Sequence, residues 1–515
     1  MKSYIRNIAY AIAALSIAAS TVSCLDKYPS SAIPESKAMQ TYNDAEQHIN
    51  GIYASLKSSY LWSGLLTLLP DIQSDMVYAV EGNTNTYGSF WRWDFRPVES
   101  EIEGVYGSLY AVIGNCNFYL ERIDALMQKI TDDEKLDELE IYTGEVYTIR
   151  AMCYAELLKC YCKAYDPATA ESDPGVVLRS KYSTPEPIVR ASLARSYRFV
   201  LDDLAEAEKR LSDEDENNLA SSAFITLATA QALHARVALY MQDWDEAIEY
   251  ATKVIDRTNC FKLASVKDDS TPDGASWFDY MWAYDTSYEI IWRIGYTATS
   301  YGGAQGQVFL NFNVDFTYFY PDYVPAQSVL DSFESGDERD DSYFAYVNIG
   351  YSNNLDWPLL VKYYGNRELI SRYIYHVNMP KPFRLAEQYL IRAEAYCRKE
   401  KYGDAGNDLS TLRRERFSAG GTISVNSSNW LKTIADERMK ELYMEGFRLH
   451  DLKRWGKEYA DLNNGYSISR KPQQLSQEVG SSLKITPDNP RFVWPIPQHE
   501  IEAPGAQLVP NESNR

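Results

Sequence analysis

The chain has 515 residues, 45% of them hydrophobic and 24% charged; this globular composition excludes collagen-like, disordered and multi-span membrane classes. That length allows about three or four domains and a large core without disulfide or metal staples. A formal net charge of −21 repels phosphate backbones, which argues against nucleic acid and against charge-driven adhesion to anionic lipid.

Residues 1–23 read as a secretory signal. Lys2 and Arg6 supply the positive end, and Ile8 to Ala19 is a 12-residue apolar stretch broken only by Tyr10 and Ser16. A spanning helix needs about 20 such residues, so this one is too short to stay in the membrane. Thr21-Val22-Ser23-Cys24 has the form of a lipobox, with Thr21 in place of the usual Leu. Cys24 is then the lipidated mature N-terminus, and 24–35 is a polar tether in which Pro29 disfavours helix. No later stretch is apolar for 18 residues, so attachment is expected through lipid and not through a spanning segment.

Helical spacing of aromatic and aliphatic residues runs through Gly104 to Leu126, Leu136 to Tyr165 and Leu193 to Leu211. Pro167 and Pro174 are the expected break after the second. Ala223 to Tyr240 and Trp244 to Asp256 then read as a helix hairpin, with Ala235 and Ala247 twelve positions apart. Small residues at that spacing let two helices cross closely, as in a tetratricopeptide pair. Ala393 and Ala405 repeat the spacing around the turn at Lys401-Tyr402-Gly403-Asp404. Two copies at unequal distance suggest a helical superhelix interrupted by insertions. Trp244, Trp455 and Trp494 fall in scaffold motifs and are assigned to the core.

Helical periodicity fades from Asn259 to Met379. Aromatics make up 26 of the 99 residues from Trp277 to Tyr375, twice the chain average of 13%. Tyr288 to Ile294 alternates as a short strand. A second irregular aromatic segment runs from Tyr78 to Pro97. Irregular segments on a regular scaffold are where function concentrates. Of the cysteines, Cys116, Cys153, Cys160, Cys162, Cys260 and Cys397 follow Cys24 without any C-x-x-C pair, which excludes a zinc ribbon and leaves buried free thiols as the expected state.

No G-x-S-x-G, H-E-x-x-H or Walker A motif occurs, and the five histidines are isolated. Asp268 to Gly274 is acidic but lacks EF-hand spacing, so it reads as a solvated loop. No cofactor and no metal is expected. The densest charged motif runs from Glu437 to Gly456. Placed on one helix, Arg438, Glu441, Glu445, Arg448, Asp451 and Arg454 would line one face with alternating signs and pair. Glu441 and Glu445 could be the two carboxylates of a glycosidase; a buried ion network clamping the scaffold is the reading preferred here.

The same segment resembles the signature of the SusD/RagB family of outer-membrane nutrient-binding lipoproteins. Cys24-x-Asp26-x-x-Pro29, Arg150-Ala151 through Tyr161, Ala235-Arg236-Val237 with Trp244 to Ile255, Arg384 to Ala395, and Trp494-Pro495-Ile496-Pro497 with Glu500 resemble further family segments in the same order. The tail departs from the pattern, with Ala503-Pro504-Gly505 and Val509-Pro510-Asn511 in place of the usual Asn-Pro and Gln-Asn ending. The resemblance implies an all-α dominated fold: a tetratricopeptide-like superhelix of helix pairs with a loop-rich insertion containing a few short strands. It divides 36–515, as one SusD-like unit, into a scaffold (about 36–258 and 380–460), a loop-rich ligand region (about 78–97 and 259–379) and a closing segment (461–515). It also implies a lipid-anchored, cell-surface, non-catalytic protein that passes glycans to a SusC-like TonB-dependent outer-membrane transporter.

A glycan binder needs flat rings for the C–H faces of sugars, and amides or carboxylates for their hydroxyls. The first irregular segment offers Asn83, Asn85, Tyr87 and Trp91. The second offers Trp277, Trp282, Tyr284, Tyr301, Gln305, Tyr320 and Trp357. Three alternatives stay open: a peptide-binding, RagB-like lid of the same transporter, a surface glycosidase, and a tetratricopeptide adaptor with no small ligand.

Overall fold

A computed structural model describes residues 38–80, 82–183, 187–212, 221–312, 319–348, 356–470 and 484–515. The signal segment 1–23, Cys24 and the tether 24–35 lie outside the described residues. The main helices are α1 (Tyr42–Ser55), α2 (Leu65–Gln73), α3 (Ser100–Met127), α4 (Asp133–Tyr161), α5 (Leu193–Glu208) and α6 (Leu227–Met241). They continue with α7 (Trp244–Ile255), α8 (Trp277–Ala283), α9 (Leu385–Arg398), α10 (Tyr402–Arg414), α11 (Trp430–Glu441) and α12 (Arg448–Leu462). None of the described helices is long and apolar enough to cross a membrane.

Side-chain caps set several helix starts. Thr41 and Asp44 form a capping box on α1, and Thr226 and Thr229 form one on α6. Asp132, Ser192 and Asp243 accept from the third backbone N–H beyond them and start α4, α5 and α7. Each satisfies an N–H that the helix itself cannot. Consecutive helices pack as pairs: α3 on α4, α4 on α5, α6 on α7, and α9 on α10. Ala235, Ala247, Ala393 and Ala405 are fully buried, as crossing helices require. Ala235, Ala238, Leu239, Ala247, Ala251, Ile391 and Ala395 form one cluster that joins α6 and α7 to α9. The fold is therefore the expected helix-pair scaffold, and among the described residues the strands come as two-stranded pairs. Trp455 and Trp494 are core residues, and Trp244 is half-buried against the small alanine cluster. The six described cysteines are free, five buried and Cys260 half-buried.

Two boundaries differ from expectation. α4 stops at Tyr161, well before Pro167, and Cys162 is already extended (φ −124°, ψ 160°). The closing segment takes over the carbonyls left open at its end: Trp494 N donates to Cys160 O at 2.8 Å and Asn511 Nδ2 to Tyr161 O at 2.8 Å. The divergent tail thus still caps the scaffold.

The charged motif is not one helix. α11 ends at Glu441, and the chain turns through 442–447 before α12 begins. Met444 (φ 58°) and Gly446 (φ 85°) adopt left-handed backbone in that turn. A Cβ on Gly446 would lie 2.4 Å from Leu66 O, so both conformation and space demand glycine there. Asp71 of α2 accepts from Gly446 N and Arg448 N, both at 2.9 Å, and so fixes where α12 starts.

The motif's charges therefore pair mostly across elements, while Arg454 also meets Asp451 within α12 at 2.9 Å, as their spacing of three predicts. Arg438 meets Asp451 at 2.7 Å, Arg448 meets Asp75 at 2.8 Å, and Arg454 meets Glu394 at 2.5 Å. Glu441 contacts Arg384 at 3.0 Å, Arg416 at 2.9 Å and Arg339 at 3.1 Å. Glu289 closes the group against Arg384 at 2.5 Å and Arg416 at 2.8 Å. Glu289 and Arg339 come from the insertion, and Arg384, Arg416 and Glu441 come from the scaffold, so this buried cluster rivets one to the other. A second apolar core, including Phe278, Trp282, Phe309, Tyr343 and Trp357, fills the space beneath the insertion.

Candidate functional site

The first irregular segment is docked onto the second. Strand β1 (Val77–Ala79) pairs antiparallel with β2 (Tyr323–Pro325), Val77 facing Pro325 and Ala79 facing Tyr323. Beyond the ladder, the Asp322 carboxylate accepts from Thr84 N at 2.6 Å and Thr84 Oγ1 at 2.8 Å. Tyr320 donates its hydroxyl to Gly82 O at 2.8 Å, and Tyr323 donates to Thr86 O at 2.6 Å. These bonds hold the loop that carries Asn83, Asn85 and Tyr87 against the segment that carries Tyr320.

The loop is held from within as well. Asn83 Nδ2 donates to Val80 O at 2.6 Å, Asn85 N to Asn83 Oδ1 at 2.7 Å, and Arg92 Nη1 to Asn85 Oδ1 at 2.6 Å. Asn85 (φ 63°) and Tyr87 (φ 59°) are left-handed, a strained conformation for an aromatic residue that clusters at functional loops. Asn85 is exposed; Asn83, Tyr87, Arg92 and Tyr320 are half-buried.

Beyond Tyr320 the surface stays aromatic. Phe312 and Phe319 stack at 4.8 Å, and Phe312 lies 5.9 Å from the His376 ring. Tyr364 and Tyr375 approach the same imidazole at 6.3 and 6.4 Å and are 47% and 50% exposed. Burial lowers the His376 pKa, and its imidazole, buried itself, underlies the exposed tyrosines. Gly306 N donates to His376 O at 3.1 Å. A Cβ on Gly306 would come within 1.9 Å of Tyr363 O, so glycine allows this close approach. Phe312, Phe319, Tyr364, Tyr375 and His376 escaped the sequence reading; the high local aromatic density was their only signal.

Trp277 and Tyr284 sit elsewhere, on the outer face of α8. Trp277 lies 5.6 Å from both Tyr280 and Tyr288, and Tyr280 stacks on Tyr284 at 4.4 Å. Trp277 and Tyr280 are three apart on α8, a signal that would have added Tyr280; Tyr288 lies beyond the helix end at Ala283 and folds back onto Trp277, which no local spacing signals. Tyr301 is 45% exposed, on the turn that seats Gly302 and Gly303 against Ser59 and Ser63.

Four candidates are core residues. Trp91 is 1%, Trp282 6%, Trp357 2% and Gln305 1% exposed. Trp91 donates to Val77 O at 3.1 Å beneath the Arg470 guanidinium. Trp282 lies under the Lys362 and Lys381 ammonium groups. Gln305 Nε2 donates to Trp62 O at 2.9 Å. Trp357 belongs to the core beneath the insertion. All four are buried and pack inside the protein, so none offers an exposed ring or amide at the surface.

Glu441 and Glu445 do not form an acid/base pair. Burial alone would raise the Glu441 carboxyl, but the Arg416 and Arg384 guanidiniums hold it far below the usual range. Burial is likewise outweighed at Glu445 by Arg384 and Lys362, which lower its pKa. A general acid needs a pKa near the working pH, and these two carboxylates are fixed structural anions.

Comparison with known proteins agrees with the geometry. A family model described as the SusD family matches residues 341–512, and one described as starch-binding associating with outer membrane matches 24–239. A SusD-like protein of Formosa agariphila is 26% identical over 474 residues, covering 84% of this chain and 87% of that protein. The crystal structure of a SusD superfamily protein of Bacteroides thetaiotaomicron superposes with a TM-score of 0.75 at 23% identity, covering 92% of this chain and 99% of that one. Surface glycan-binding protein A of Bacteroides fluxus superposes with a TM-score of 0.67 at 21% identity, covering 92% and 99%. The two family matches do not overlap, and the helix-pair scaffold with its riveted insertion accounts for both: the chain belongs to the SusD/RagB family.

Proposed function

We propose that this chain is a surface glycan-binding lipoprotein that captures an oligo- or polysaccharide without cleaving it and delivers it to a SusC-like TonB-dependent transporter in the outer membrane. The observation that carries this reading is the surface running from Asn83, Asn85 and Tyr87 through Tyr320 and Phe312 to Tyr364 and Tyr375. It offers rings for the C–H faces of sugars, and amide and guanidinium groups at one end for their hydroxyls. The description of the matched family model, starch binding in association with the outer membrane, and the name of the Bacteroides fluxus neighbour support the same ligand class. The ion-paired state of Glu441 and Glu445 supports binding without hydrolysis. Lipidation at Cys24 would tether the 36–515 unit to the cell surface, beside its transporter.

The test uses the soluble chain that starts after Cys24. It is run in affinity gels containing neutral or acidic polysaccharides, and titrated with peptides in a calorimeter. One glycan class should retard it, and Tyr364→Ala combined with Tyr375→Ala should weaken retention about tenfold, or about 1.4 kcal/mol, at an unchanged Tm. Peptide binding with no glycan retained would replace the ligand class. New reducing ends would overturn the non-catalytic reading.

A further inference from the structure

We infer that the outer face of α8 is a second glycan-contact site, distinct from the surface around Tyr320, and that it holds a neutral polysaccharide chain. The inference rests on the reading that the ligand is a glycan. α8 buries Phe278, Met281 and Trp282. The other side of the helix presents Trp277, Tyr280 and the exposed Asp279, Tyr284 caps its C-terminal end, and Tyr288 extends the row past Trp277 at 46% exposure. A helix face turned to water ordinarily carries charged and polar residues; this one carries a row of rings beside one carboxylate.

The rings form an ordered row. Centroids are 5.6 Å apart from Tyr288 to Trp277, 5.6 Å from Trp277 to Tyr280, and 4.4 Å from Tyr280 to Tyr284. The Arg367 guanidinium ends the row, 5.7 Å from the Tyr284 ring. The row is preformed, because Trp277 Nε1 donates to Ser270 Oγ at 3.0 Å and Trp277 N donates to Asp268 O at 2.9 Å. A ligand that stacks here therefore meets little ordering cost.

The charges around the row decide the occupant. Lys262 is matched by Asp268 at 3.2 Å, and Arg367 by Asp273 at 3.7 Å. No cation in either pair is left uncompensated for a uronate or a sulfate, and Glu368 and Asp279 add negative charge beside the rings, so an anionic chain is repelled and a neutral one is accepted. The Lys262 and Arg367 side chains remain 69% and 62% exposed and can exchange hydrogen bonds with hydroxyls. A protein laid over the row would have to desolvate both ion pairs, whereas the centre of a protein interface is depleted of charge. A sugar chain leaves those ions hydroxyl partners and water. Two sites on one molecule would grip a single polymer with the added strength of an intramolecular second contact.

The test compares three proteins in affinity gels containing starch, mixed-linkage β-glucan, xylan or galactomannan. They are the unaltered soluble chain, a Tyr284→Ala/Tyr288→Ala variant and a Tyr364→Ala/Tyr375→Ala variant, with Tm measured for each. Short oligomers of the retained polymer are titrated in parallel. The α8 variant should lose about tenfold or more of its polymer retention at an unchanged Tm, while its oligomer affinity at the first surface stays within about twofold. Polymer retention equal to that of the unaltered chain would overturn the second site and leave the proposed function standing. Failure of the unaltered chain to bind any of the four polymers or an acidic one would overturn both.

Discussion

Three guanidinium groups, those of Arg339, Arg384 and Arg416, converge on the Glu441 carboxylate in the dry interior. Removing one member of such a cluster leaves its partners charged and unmatched, at a cost of about 3–5 kcal/mol. Glu441→Gln should therefore lower the unfolding free energy by that amount in chemical denaturation, and a loss under about 1 kcal/mol would contradict the clamp. Acid sensitivity follows from the same chemistry. Burial alone would raise the carboxyls of Glu394 and Glu437, but Arg454 holds the first at about 2, and Arg339, Lys440 and Arg413 hold the second at about 2. A carboxyl depressed in the folded state stabilises above its unfolded value near 4.5, and that gain is lost as the pH falls toward 2. Melting temperatures should thus drop steeply between pH 5 and pH 2, and Glu394→Gln should flatten the drop; an unchanged slope would exclude Glu394 as its source. The alternating charges were legible as an ion network, but Glu289, Arg339 and Arg416 were not legible as partners, because they lie far away in the chain. Aromatic density alone also could not separate Trp277 from Trp282. The two lie five positions apart on α8, one half-exposed and one in the core.

At the scale of elements, local chemistry did most of the work. Alanines twelve apart and the helical spacing of apolar residues were enough to read the helix pairs, because those signals act within one hairpin. Ala247 is fully buried where α6, α7 and α9 meet. Ala247→Leu should cost about 1–3 kcal/mol by overpacking, measured as a fall in denaturation midpoint at unchanged slope; an unaffected midpoint would mean that the helices do not cross there. The break between α11 and α12 was not legible, since Asp71, more than 370 positions upstream, sets it. Gly446→Ala meets both a positive φ of 85° and a Cβ site 2.4 Å from Leu66 O. It should destabilise by more than about 1 kcal/mol, whereas Gly107→Ala, with nothing within 4 Å, should be neutral or mildly stabilising.

For the whole molecule, the helix pairs form a frame and the ion cluster fastens the insertion to it. The β1–β2 ladder then folds the first irregular segment against the second. The candidate surface exists only because of these long-range contacts. The sequence pointed to both segments and to Asn83, Asn85, Tyr87 and Tyr320, which the proposed surface includes, but it could not tell which rings would face outward. The account's central claim is that this surface binds glycan and leaves it whole. The most direct measurement is calorimetric titration of the soluble chain with the polysaccharide that retards it, followed by chain-length and reducing-end analysis of the recovered polymer. The account predicts saturable binding, weakened about tenfold by Tyr364→Ala/Tyr375→Ala, with the polymer recovered at its original length. A shortened polymer, or affinity indifferent to those two tyrosines, would contradict it.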